Sequence, residues 1–120
     1  MAEQKLSEGP GPVLPVVVWG VNKSDEIFKD KSFGGSGDWE KIAGLAKCIS
    51  VGADGSVWCV NKEDKIFQYL GDGKWHEVAG LLKQISVGNH NEIWGVNAQD
   101  EIFKYSGDNK WQKIDGLAKQ

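Results

Sequence analysis

The 120-residue chain contains no arginine. All 14 of its Lys and Arg positions are lysine, set against 17 acidic residues, for a net charge of −3. Arginine provides the planar, bidentate grip on phosphate and guanine that nucleic-acid readers rely on. Its absence from an acidic chain argues against a nucleic-acid partner. No run of 18 apolar residues occurs, so no membrane-inserting helix is expected. The opening MAEQKLSEGPGP has no apolar centre and does not read as a secretory signal. It reads as a flexible leader over residues 1–15 of a cytosolic protein, although a chain trimmed of its signal would look the same. Cysteine and histidine number two each. Their spacing fits no zinc site, and no nucleophile, base and orienting group come together. The glycine-rich FGGSGD lacks the lysine and the strand-to-helix setting of a phosphate loop. The chain is therefore expected to be neither an enzyme nor a metal or cofactor protein.

What the chain does have is six Trp, sixteen Gly and a sentence said three times. IWGVNAQDEIFKYSGDNKW (93–111) answers VWCVNKEDKIFQYLGDGKW (57–75), and a longer VWGVNKSDEIFKDKSFGGSGDW starts at Val18. Trp39, Trp75 and Trp111 are spaced by 36, as are Gly44, Gly80 and Gly116; Trp19, Trp58 and Trp94 are spaced by 39 and 36. A fixed period of this size marks a repeat architecture. The three extra residues of the first copy fall between Phe28 and Trp39, where a surface loop tolerates them. The copies run over about 16–46, 47–82 and 83–120.

Within one copy, KQISVG, EIWGVN, EIFKYS and KWQKIDG are short β-rich runs separated by NHN, AQD and GDN. That predicts four strands of about five residues joined by tight turns. Ile102 and Phe103 are adjacent, which breaks the alternation of a sheet with one wet face. Both faces are then expected to be covered, as when small sheets stack. Helical runs with a 3.6-residue period are missing, which disfavours a helical solenoid. The expected class is all-β: four-stranded antiparallel β-propeller blades, three per chain.

The pattern ISVG…(V/I)WGVN…D.I(F/Y)…W..I.G resembles the tectonin repeat, and the resemblance covers Val16 to Gln120. It implies β-propeller blades and non-enzymatic recognition of surface glycans, including methylated sugars and lipopolysaccharide, at sites built from neighbouring blades. Complete members of that family are similar in plan, commonly with six blades. This chain has three copies, and no ISVG counterpart precedes Trp19. A head-to-tail homodimer that closes a six-bladed ring is the expectation, with the valines of VLPVVV completing a blade across the junction. The alternatives are a half-propeller fragment, or a propeller scaffold that binds a protein and no sugar.

Three sets of repeated residues are candidate ligand contacts. Trp39, Trp75 and Trp111 open the outermost strand, where an indole could pack between blades or stack on a sugar and donate its N–H. Asn22, Asn61 and Asn97 bracket the turn between the second and third strands with Asp25, Asp64 and Asp100. Such residues bond their own backbone in turns, or could face a cleft between blades. Trp19, Trp58 and Trp94 read as core. Cys48 and Cys59 flank the turn ADGS and are expected opposite each other, as reduced thiols in a cytosolic chain or as a cross-strand disulfide.

Overall fold

A computed structural model describes residues 18–30 and 39–117. Eleven strands and no helix occur among the described residues. They form three antiparallel sheets in chain order. The first contains β1 (Trp19–Val21), β2 (Glu26–Asp30) and β3 (Trp39–Leu45). The second contains β4 (Cys48–Val51), β5 (Val57–Val60), β6 (Lys65–Gly71) and β7 (Lys74–Leu81). The third contains β8 (Gln84–Asn89), β9 (Glu92–Val96), β10 (Glu101–Gly107) and β11 (Lys110–Leu117). Each strand pairs with its sequence neighbour, so each sheet is a meander, a single propeller blade. The outer two strands of a full blade run to seven or eight residues, longer than the five expected. Register shifts at Lys65/Ile66 and Tyr69/Gly71, repeated at Glu101/Ile102 and Tyr105/Gly107, accommodate the extra length.

The adjacent apolar pairs behave as the broken alternation required. Ile27 points from the first blade into a cluster with Cys59, Phe67, Tyr69 and Trp75 of the second. Ile66 points from the second into a cluster with Ile85, Phe103, Tyr105 and Trp111 of the third. Ile and Phe of one strand thus face opposite neighbours, and the core is two apolar layers between three blades.

The blades approach most closely at their inner strands. A Cβ on Gly52 would lie 3.0 Å from the Gly88 carbonyl oxygen, so this corner of the ISVG run accepts only glycine without rearrangement. The Ala53 N–H donates to Gly88 O at 2.8 Å and the Val87 N–H to Ser50 Oγ at 2.9 Å. Further along, Asp54 Oδ2 accepts the His90 N–H at 2.9 Å and lies 2.8 Å from His90 Nδ1. The Asp54 carboxyl is held well below the usual carboxylate range, chiefly by His90 and then by Ser56. Glu26 is lowered by Lys41, and Glu101 by Lys113, in the same sense. Each folded-state pKa lies below its unfolded value. The stabilisation is therefore fully present above the ordinary carboxylate value of about 4 and is lost as pH falls from there through the lowered folded-state values. The melting temperature should fall between about pH 5 and pH 2. An Asp54→Asn variant should show a shallower fall over that range.

Cys48 and Cys59 are not opposite each other. Cys48 pairs with Val60 and Cys59 with Ile49, because the connection spans 52–56, with Gly52 N–H bonded to Ser56 O, and centres the hairpin on Asp54. The one-residue offset sends the two thiols to opposite faces of the sheet. Both are free, and burial pushes the Cys59 thiol up to about 12. Cys59 faces Ala46, whereas in the third blade Gly95 faces the larger Leu82, to which a Cβ there would come within 2.2 Å. The cysteine is a packing exchange between copies. The leader over 1–15 and most of the KDKSFGGSGD loop lie outside the described residues. So do the valines expected to complete the first blade, except Val18, whose carbonyl accepts the Asp30 N–H at 2.8 Å.

Candidate functional site

Each junction between blades leaves an open cleft on the outer side of the apolar layer. Between the first and second blades it measures about 350 Å³ and is lined by Ile27, Gly44, Leu45, Asn61, Phe67 and Trp75. Between the second and third it measures about 440 Å³ and is lined by Ile66, Gly80, Leu81, Asn97, Phe103 and Trp111. Six lining positions are shared, 36 apart or, across the longer first loop, 39 apart; Cys59 also lines the first cleft and Leu82 the second, at positions that do not correspond. The repeat therefore produces a repeated cleft in the size range of small-ligand sites.

The tryptophan is placed by the backbone of the neighbouring blade. Trp75 Nε1 donates to Ala43 O at 2.8 Å, and Trp111 Nε1 to Ala79 O at 2.8 Å. The next residue, Gly44 or Gly80, adopts φ of +109° or +108°, and a Cβ there would lie 3.2 to 3.3 Å from the indole. Glycine is needed for both the left-handed backbone and the close approach. The indole N–H that could have served a sugar is thus committed to a carbonyl, and the ring remains as a wall of the cleft. On its inner side Trp75 meets Tyr69 and Trp19 with centroids 4.9 and 6.3 Å away; Trp111 repeats this with Tyr105 and Trp58. Each Tyr hydroxyl accepts a backbone N–H of the following turn, Gly73 or Asn109, at 2.9 Å.

Asparagine closes the polar edge of the cleft. In all three copies its Oδ1 accepts two backbone N–H groups of the turn, as with Glu63 and Lys65 on Asn61, both at 3.0 Å. This local bonding points Nδ2 in one direction in every copy. In the first and third blades that amide donates to a carboxylate, Asn22 to Glu26 and Asn97 to Glu101, each at 2.9 Å. In the second blade Lys65 stands at the carboxylate's place, and the Asn61 amide has no such acceptor. The copies are therefore unequal: the cleft at Asn61 presents a donor that the cleft at Asn97 spends internally.

The aspartates do not line these clefts. Asp25, Asp64 and Asp100 adopt φ of 65–66° and close the turn by donating N–H to the Asn carbonyl at 2.9 to 3.0 Å. The side chains of Asp64 and Asp100 pair with Lys47 and Lys83. The Asp25 and Asp64 carbonyls accept the N–H groups of Ala46 and Leu82, which directly follow β3 and β7, and so tie each turn to the next connection. The structure brings the Trp and Asn of one blade into one cleft and leaves the Asp as turn and ion-pair residues. The phenylalanine, isoleucine and leucine of the walls were not singled out as candidates. Their signal was present in the shared spacing of Phe28, Phe67 and Phe103, and of Leu45, Leu81 and Leu117.

Known proteins resemble this chain in sequence. The tectonin domain model matches residues 12–120. Tectonin-2 of Physarum polycephalum is 49% identical over 51 residues, covering 42% of this chain and 13% of that protein. A fish-egg lectin of Cyprinus carpio is 44% identical over 62 residues, covering 48% of this chain and 26% of that protein. The matched stretches thus span only 13% and 26% of the length of these two relatives.

Proposed function

The chain belongs to the tectonin domain family, and from that premise we propose that it is a carbohydrate-binding, non-enzymatic protein that takes sugars of cell-surface glycans into the clefts between its blades. The observation that carries this reading is the repeated cleft itself, with an aromatic wall of Phe and Trp, an aliphatic wall of Ile and Leu, and one asparagine at its edge. Such walls suit the C–H face of a pyranose or a methoxy group, and the amide suits a hydroxyl. Methylated sugars and lipopolysaccharide are the glycans to try first. Each cleft is shallow and its site weak. Several on one rigid body would raise avidity by about 10² to 10⁴ on a surface that presents many copies of the sugar. The same reading has two copies of the chain close a ring of six blades.

The test is binding of the purified chain to a glycan array that includes methylated sugars and lipopolysaccharides. Saturable binding, competed by the free sugar, is the expected result. Silence across the array from a folded protein would overturn the reading in favour of a protein-binding scaffold.

The unequal asparagines add a sharper expectation. Lys65→Glu should place a carboxylate on the Asn61 amide, as in the other two copies, and weaken that cleft about fivefold, the equivalent of one hydrogen bond of about 1 kcal/mol. Calorimetric titration with the best sugar from the array would measure it. Unchanged affinity would place Asn61 outside the contact.

A further inference from the structure

The two ends of the described arc are halves of the same contact. On the first blade, Gly20, Val21, Asn22, Phe28 and Trp39 form an open hollow. Asn22, Phe28 and Trp39 are the positions that Asn61, Phe67 and Trp75 occupy in the complete cleft. Trp39 is 45% exposed, whereas Trp75 and Trp111 are partly covered by the blade before them. On the third blade the other half stands ready. Gly116 adopts φ of +113°, matching Gly44 at +109° and Gly80 at +108°. A Cβ on Gly44 or Gly80 would meet a tryptophan within 3.3 Å, but on Gly116 it would meet only Ile102, at 3.9 Å. Asp115 occupies the place of Ala43 and Ala79, whose carbonyls accept the tryptophan N–H.

We propose that these faces join between two copies of the chain, with Trp39 Nε1 of one protomer donating to the Asp115 carbonyl of the other, so that a third ligand cleft is built half from each protomer. This inference rests on the proposed ring of two copies and deepens it by assigning the junction and its site. Asn22, Phe28 and Trp39 would come from one side, and Ile102, Gly116 and Leu117 from the other.

A second copy is the occupant that the molecule itself specifies. The chain forms this contact twice internally, and its key bond goes to a backbone carbonyl beside a glycine, so it survives the change from alanine to aspartate. A heterologous face of this kind closes into a ring when the rotation per blade permits. The junction differs from the internal contacts in one respect. Asp30 takes the position of Tyr69 and Tyr105, which pack on Trp19 and Trp58 within the chain at 5.0 Å. The junction lacks that ring and should be weaker than the contacts within a chain. Assembly is then expected to depend on concentration.

The test needs no sugar. The solution mass of the full chain would be measured across a concentration series, together with hydrogen exchange of the six indole N–H groups by NMR, with the Trp39 signal assigned from Trp39→Phe. The expected result is twice 13.2 kDa at high concentration. The Trp39 indole should then exchange at least about tenfold more slowly than an exposed one. Trp39→Ala should return the mass to 13.2 kDa while Trp75 and Trp111 stay protected, which shows that the chain remains folded. A monomer at every concentration would overturn both the ring and the shared cleft. A dimer whose Trp39 indole exchanges freely, or that survives Trp39→Ala, would overturn the shared cleft alone.

Discussion

Trp75→Ala is expected to destabilise the protein by about 3–5 kcal/mol, the range for removing a large aromatic from a packed layer. Three losses combine. The ring leaves its contacts with Trp19 and Tyr69 and with the face of Gly44. The Ala43 carbonyl loses its donor. The cleft between the first two blades loses one wall. Trp75→Phe separates these effects, since it keeps most of the ring and removes only the N–H, at a cost nearer 1 kcal/mol plus the missing volume. Urea unfolding followed by circular dichroism would measure both variants. Trp39→Ala is the internal comparison: the same residue at the same repeat position, but with no preceding blade among the described residues, so its effect on the stability of one chain should be small. If Trp75→Ala cost less than about 1 kcal/mol, the indole would not be the element that joins the blades.

Gly52→Ala should cost about 1–3 kcal/mol through overpacking at the inner strands. The added methyl would lie 3.0 Å from Gly88 O, 3.0 Å from Val87 Cγ1 and 3.1 Å from Asn89 Cα. Two of these three atoms are backbone, held in the adjacent strand, and cannot swing aside as the end of a long side chain would. Relief requires the second and third blades to separate. That movement would stretch the bond from Ala53 N–H to Gly88 O. Amide exchange at Ala53 should therefore accelerate along with the loss of stability. Gly20→Ala is the control, because nothing lies within 4 Å of a Cβ there. Equal stability of the two variants would show that the inner strands have room to spare.

The period of 36, the four runs per copy and the adjacency of Ile and Phe were sufficient to assign all-β blades with both faces covered, because these are local patterns of turn chemistry and burial. The Asn and Asp of each turn were legible as turn formers for the same reason. The bonds that close each turn stay within four residues in sequence, as with Asn97 Oδ1 and the N–H groups of Gln99 and Glu101. The tryptophans were legible as a repeated set, but their partners were not. The acceptor of the Trp75 and of the Trp111 indole lies 32 residues earlier, on another blade. Cys48 and Cys59 show the limit of counting: a hairpin centred on one residue instead of between two sends the side chains to opposite faces.

By itself, then, the sequence determined the blade, since a blade is built from contacts between neighbouring strands and short turns whose residue preferences are local. Only the tertiary structure decided what lies between blades: which indole bonds which carbonyl, which asparagine keeps a free amide, and that Trp and Asn share a cleft while Asp does not. Those outcomes depend on how two sheets with 36 residues between equivalent points pack against each other, and a close approach of backbone to ring has no signature in the residues on either side of it.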